Sequence, residues 1–363
     1  MIAAAPIFEE SRCTRYRYRY SGCRRCADAC PHDALSLDGE GVAVEATKCR
    51  NCSLCTAACR TAALAAANLP RIELLKQAIK GKSFSFACAP SGIGADATVP
   101  CLGAIDGVIL AYLAKRGIAV ELRGAGHCAA CEHGARGALS MVANIEARDA
   151  LAGACSGEEW AALTVAEDAG QAQAQDFHSG RRHLFRRLFG KGVDEMAHAA
   201  CLADPPVPVE DKAIRSGLWH VPEMRELLTI VSRRSDGMPC RVPALAGLAV
   251  ADVRLGAGCS QCEACVRACP AGALQIREGN TDWRFVFLPD RCTGCGLCAE
   301  VCQPGALSLN ALVDATPNAD GRTLDVRNKQ RCERCDRHFV TPEPRAVCPV
   351  CSDDEIAFEQ IFG

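Results

Sequence analysis

Cys259-Ser-Gln-Cys262-Glu-Ala-Cys265-Val-Arg-Ala-Cys269-Pro270, and then Cys292-Thr-Gly-Cys295-Gly-Leu-Cys298-Ala-Glu-Val-Cys302, are the runs on which the reading of this chain turns. Three thiols set three positions apart can face one centre from a single tight loop. A fourth, one position further on, leaves that loop and reaches a second centre. Cys259, Cys262, Cys265 and Cys302 are therefore expected to hold one [4Fe–4S] cluster, and Cys292, Cys295, Cys298 and Cys269 its partner. Zinc knuckles are the competing reading. Zinc takes four tetrahedral ligands, usually as two Cys-x2-Cys pairs, and has no use for the third cysteine or the Cys-Pro step.

This spacing resembles that of the bacterial-type two-cluster ferredoxins, and the chain carries it twice. Residues 1–69 contain a complete run, Cys49-x2-Cys52-x2-Cys55-x3-Cys59, preceded by Cys23-x2-Cys26-x3-Cys30-Pro31. Aligned on the later repeat, Cys30 matches Cys269 and Tyr20 stands where Cys259 stands. Cys30, Cys49, Cys52 and Cys55 should hold a full cluster. Cys23, Cys26 and Cys59 lack their usual fourth ligand. Cys13 folding back is the favoured completion; a three-iron cluster or an empty site are the alternatives. The alternation Arg15-Tyr16-Arg17-Tyr18-Arg19-Tyr20 predicts a strand with a solvated face, able to return Cys13 or to dock an acidic partner. The apolar tails Ala34–Leu37 and Ala306–Leu309 predict small strands covering the clusters.

With 363 residues the chain has room for several small domains, and it carries 27 cysteines. Most sit in ligand spacings and must stay thiolates, which points to a reducing, cytoplasmic setting rather than a disulfide framework. Met1 to Cys13 lacks the pattern of a signal peptide, the Arg181-Arg182 pair is internal, and no apolar run approaches the ~20 residues of a membrane span. A net charge of −2 argues against a nucleic-acid binder.

Between the two repeats, residues 70–170 alternate in period. Helices are predicted over Ile72–Ile79, Ile105–Lys115 and Cys131–Ala150. Strands are predicted at Ser83–Phe86, Ala97–Val99, Ile118–Leu122 and Trp160–Val165, a small parallel α/β sheet. Ligands collect beyond the carboxyl ends of such strands, where Cys88, Cys101, Cys128 and Cys131 all fall. Soft thiolates there suit iron–sulfur or zinc. His127 and His133 are read as neighbours of that site, not ligands. The pattern Phe86-Ala87-Cys88, Gly94-Ala95-Asp96, Pro100-Cys101-Leu102-Gly103-Ala104-Ile105-Asp106 and Gly126-His127-Cys128-x2-Cys131 resembles the delta subunit of methyl-viologen-reducing hydrogenase. The resemblance implies a [2Fe–2S] cluster and electron traffic among a hydrogenase or formate dehydrogenase and a heterodisulfide reductase. It covers about a quarter of the chain and departs from the family near Cys88 and in the last cysteine spacing, leaving another cluster type open.

Residues 171–245 are expected to form a linker with helices: a flexible Gln171–Gln175, a basic amphipathic helix Arg181–Phe189 packed on a domain, a Pro-rich Asp204–Val209 and a helix Pro222–Arg233. Cys155, Cys201 and Cys240 fit no spacing and are read as structural thiols. Residues 246–327 form the second ferredoxin-like unit. Residues 328–363 hold Cys332-x2-Cys335-x12-Cys348-Pro349-x-Cys351, the ligand pattern of a zinc ribbon. The fold expected is α+β multidomain: two ferredoxin-like units with three to four [4Fe–4S] clusters, a parallel α/β domain between them and a C-terminal zinc ribbon. No catalytic constellation is visible. The reading is an electron-transfer subunit partnering a hydrogenase or a molybdenum or tungsten formate dehydrogenase. A metalloenzyme maturation factor and a cluster-dependent disulfide or sulfur reductase are the alternatives.

Overall fold

The structure, a computed structural model, describes residues 5–38, 41–66, 68–155, 157–166 and 212–353. The expectations for Gln171–Gln175, Arg181–Phe189, Cys201 and Asp204–Val209 lie outside the described residues. The first unit runs β1 (Ile7–Phe8), α1 (Thr14–Arg17), α2 (Arg25–Ala29), β2 (Leu35–Asp38), β3 (Gly41–Val44), α3 (Leu54–Ala58) and β4 (Leu64–Ala65). β2 and β3 form an antiparallel hairpin and β1 closes on β4. In place of the strand expected over Arg15–Tyr20, a short helix covers Thr14–Arg17, and only Tyr18 is extended. The Cys13 carbonyl accepts from the Arg17 N–H at 2.9 Å, starting the turn. Arg17 is wholly buried rather than solvated. Its guanidinium donates to the carbonyls of Ser11 at 2.5 Å, Gly217 at 3.2 Å and Leu218 at 2.5 Å. A period-two alternation has no meaning once one of its polar members faces inward. Tyr18, past the helix, bridges to Ile214.

The middle region holds α4 (Arg71–Ala78), β5 (Ser83–Cys88), β6 (Ala97–Val99), α5 (Gly107–Lys115), β7 (Ala119–Arg123), α6 (Gly134–Ala154) and β8 (Leu163–Val165). The four strands form one parallel sheet in the order β6-β5-β7-β8. Parallel strands need crossover connections and burial on both faces, which explains Phe84, Phe86, Val120 and Leu122 in the core. Cys52, Leu54 and Leu69 of the preceding stretch join that same core. The first unit and the sheet therefore share packing; they are not beads on a string.

Residues 212–245, expected as the end of a linker with helices, contribute several residues to the core. Helix α7 (Glu223–Val231) buries Leu228 and Val231 beside Leu151 of α6, and β9 (Arg241–Pro243) pairs antiparallel with β14 (Leu312–Asp314). The second unit follows as β10 (Val253–Leu255), α8 (Ala264–Ala268), β11 (Leu274–Glu278), β12 (Asp282–Phe287), α9 (Leu297–Glu300) and β13 (Leu307–Leu309). It repeats the first: β11 and β12 form the hairpin and β10 closes on β13. Its hairpin then continues outward into β15 (Arg322–Arg331) and β16 (His338–Thr341). β15, ten residues long, runs through the boundary expected at residues 327 and 328.

Candidate metal centres

The cysteine loops share a backbone signature. In three of them the residues on either side of the second cysteine are left-handed: Asn51 and Ser53, Gln261 and Glu263, Gly294 and Gly296, with φ between 52° and 88°. This conformation is costly for residues with a Cβ. It bends the chain tightly enough for three thiols to face inward. The third residue after each fourth cysteine is also left-handed: Asp33, Ala62, Gly272 and Gly305. In three cases the next N–H then donates to that cysteine: Ala34 to Cys30 Sγ at 3.4 Å, Ala63 to Cys59 Sγ at 3.2 Å and Ala273 to Cys269 Sγ at 3.3 Å. Such N–H···S bonds favour a charged sulfur.

The thiols converge as sets. Cys30, Cys49, Cys52 and Cys55 line one cavity, and Cys269, Cys292, Cys295 and Cys298 another. A third cavity is lined by Cys13, Cys23, Cys26 and Cys59 together. Tyr20, at the aligned position of the missing cysteine, is 68% exposed. Cys88, Cys101, Cys128 and Cys131 line a fourth cavity beyond the carboxyl edge of the parallel sheet. Cys265 has Cys259, Cys262 and Cys302 within electrostatic reach; Cys262 is exposed and the other three are half-buried. The ribbon cysteines 332, 335, 348 and 351 bring their sulfurs within 4.8 Å of one another.

These donor sets fit metal. Burial, reinforced by neighbouring thiols, pushes Cys26, Cys55, Cys101 and Cys265 up to about 12. Four thiolates cannot share such a pocket unless a cation compensates them. The four-sulfur sets therefore suit iron–sulfur clusters, and the compact ribbon set suits one tetrahedral ion.

The sites also neighbour one another in order. Cys101 of the sheet site feels Cys52 of the Cys30 site. Cys55 of that site feels Cys26 of the Cys13 site. Cys295 lines the Cys13 cavity as well as its own. Cys298 feels Cys265. The resulting row is Cys88 site, Cys30 site, Cys13 site, Cys269 site, Cys259 site.

Several residues of the row carry no sequence motif. His32 Nε2 and His133 Nδ1 are 3.1 Å apart across the gap between the Cys30 and Cys88 cavities, and burial lowers both pKa values. Arg60 lies between the Cys13 and Cys269 cavities. It donates to Gly294 O at 2.7 Å and Leu245 O at 3.0 Å. Away from the row, the sulfurs of Cys155 and Cys240 lie 3.9 Å apart, fully buried beside Val242 and Leu248. Spacing could not pair them because they are 85 positions apart.

The family described as 4Fe-4S dicluster domain matches the chain at two places, residues 21–63 and 258–306. These are the stretches that carry the two sets of loops. A comparison with curated proteins gives no match. The chain thus contains two ferredoxin-type 4Fe–4S units, which carry an iron–sulfur electron-transfer role and imply redox-protein partners. Among the described residues no helix is long and apolar enough to cross a membrane.

Proposed function

We propose that this protein is a cytoplasmic electron-relay subunit whose cysteines arrange five centres in one row, with a zinc ribbon beside its surface end. The observation that supports it is the unbroken order in which the four cavities and the Cys259 set neighbour one another, each within electrostatic reach of the next or sharing a lining thiol. In this reading Cys30, Cys49, Cys52 and Cys55 hold one [4Fe–4S] cluster. Cys13 completes a second with Cys23, Cys26 and Cys59. Cys269 with Cys292, Cys295 and Cys298, and Cys302 with Cys259, Cys262 and Cys265, hold two more. Cys88, Cys101, Cys128 and Cys131 hold a [2Fe–2S] or other cluster, and the ribbon thiolates hold zinc. Bound clusters of this kind take up and release single electrons.

The chain's own contribution is position and environment. Buried loops keep the inner thiolates from water, the N–H···S bonds stabilise charge on the bridging cysteines, and Cys262 leaves one end open to a partner. The sheet site at the other end suits docking to a hydrogenase or a molybdenum or tungsten formate dehydrogenase, as the resemblance of residues 86–131 implies. Iron, zinc and acid-labile sulfide counted on anaerobically purified protein test the reading. Four cubes and one two-iron centre give ~18 irons with about one zinc per chain. Iron near ~8 with two or more zincs would mean one loaded ferredoxin unit and would favour a maturation factor.

A further inference from the structure

Five arginines stand around the two central sites of the row. Arg15, Arg25 and Arg60 line the Cys13 cavity. Arg60 also reaches into the Cys269 site: its guanidinium bonds the carbonyl of Gly294, the residue before Cys295. Arg225, 1% exposed, donates to the carbonyl of Cys292 itself at 2.9 Å and to Pro289 O at 2.6 Å. Arg17, fully buried, lies within electrostatic reach of Cys269.

Their partners are the unusual part. Arg17, Arg60 and Arg15 donate to backbone carbonyls. Arg225 adds only the Thr229 hydroxyl. None of the five forms an ion pair with a carboxylate among the described residues; Asp290 is the one acid within electrostatic reach of Arg225. Burying a guanidinium against neutral partners is expensive. The cost is recovered if the counter-charge is the centre itself. The outer sites differ. Arg50 at the Cys30 cavity is half-exposed and lies 3.9 Å from Glu132. The residues lining the Cys88 cavity include neither Arg nor Lys. At the Cys259 site, Arg267 bonds the Cys262 carbonyl from an exposed position, where water screens it.

Reduction adds one negative charge to a centre, so buried cations favour the reduced state and raise the potential. Burial alone would oppose this by disfavouring charge. At the two inner sites it also strengthens the attraction of the buried Arg17 and Arg225 for a cluster, and to a lesser degree that of the half-buried Arg60, because the local dielectric is low. We propose that the Cys13 and Cys269 sites form the high-potential pair of the row, with Arg60 as the cation they share. The inference rests on the relay reading above. It makes the junction of the two ferredoxin units the place where electrons rest, with both ends of the row lower in potential. Arg60 is cationic throughout the neutral range, although burial lowers its pKa to about 10.

An anaerobic redox titration of the full chain, followed by EPR, tests this. Signals are assigned with Cys13→Ala and Cys298→Ser, and iron and sulfide are counted on every variant. The two inner signals should reduce first. At the wild-type inner midpoint, Arg60→Met should lower the reduced fraction-to-oxidised ratio of both by roughly tenfold, a shift of about 59 mV for one electron. Arg60→Lys, which keeps the charge and loses the fork, should recover most of it. Arg25→Gln should shift the Cys13 signal alone; it decides the matter if Arg60→Met fails to retain iron. Full iron with inner signals that reduce last, or that none of these variants moves, would overturn the inference. A wild-type protein without four-iron signals would overturn the relay reading instead.

Discussion

The two ferredoxin-type units differ at one loop, and the difference shows what a cluster loop requires. In the second unit Cys259, Cys262 and Cys265 sit on a chain bent by left-handed Gln261 and Glu263. In the first unit the matching loop has lost its leading cysteine to Tyr20, and its bend as well: Arg24 has φ −128°. A loop freed from placing three thiols has no reason to hold strained backbone. The fourth cysteine lining that cavity is instead Cys13, carried there at the start of α1. That helix is fixed by Arg17, whose side chain ties it to Gly217 and Leu218 some 200 positions away. A local constraint has been replaced by a tertiary one.

Removing the displaced ligand should have the largest effect. In Cys13→Ala, iron per chain should fall by ~4 as the site empties, or by ~1 if three thiolates keep a three-iron cluster. Unchanged iron and sulfide would mean that Cys13 is no ligand and would break the comparison. Arg17→Met sharpens it. The variant should lose occupancy at the Cys13 site while the Cys259 signal persists, because only the first unit depends on that anchor. Equal loss at both would show a general folding defect.

A second asymmetry concerns what each hairpin carries. The first unit's hairpin ends at Val44, whereas the second unit's continues through β15 into the ribbon. The ribbon core consists of Cys332, Cys348 and Cys351 with Phe339 and Val347 packed against them. That is too little apolar surface to fold without metal. Stripping the ribbon's metal with a chelator should therefore abolish hydrogen-exchange protection over His338–Thr341, while the β11–β12 pairing stays protected. Persistence of the ribbon's protection after metal loss would argue that β15 alone holds it.

The first unit in turn leans on the sheet region. Gly103 lies against α6 and Leu54, and a Cβ there would run into the Gly137 carbonyl. Gly103→Ala should cost roughly 1–3 kcal/mol, as overpacking does, and should perturb the Cys88 site next door; a differential melt with iron analysis would detect it. The second unit's signals should not change. The smallest effect is expected at Cys240→Ala, which removes one sulfur from a closed apolar pair. Stability should fall by about 1 kcal/mol with iron content unchanged. A drop in iron would assign that pair to a metal site.

Much of this molecule is legible in its residues. The three intact loops, the ribbon and the parallel sheet come from patterns within a few tens of positions, where spacing alone dictates which atoms can meet. The alternation at Arg15–Tyr20 misleads for the opposite reason: Arg17 is satisfied by carbonyls far along the chain, so its burial cannot be inferred from its neighbours. The same holds for Arg60, which follows Cys59 with no distinguishing pattern, and for His32 and His133, 101 positions apart.

The sequence by itself determined that the chain has two sets of cluster loops and a four-thiol ribbon, because ligand geometry is local and thiolates at these intervals have few other uses. Only the tertiary structure decided which cysteine lines the cavity of the incomplete set, in what order the sites neighbour one another, and which of them the arginines surround. Those are contacts between distant segments, fixed by packing and by the demand of buried polar groups for partners.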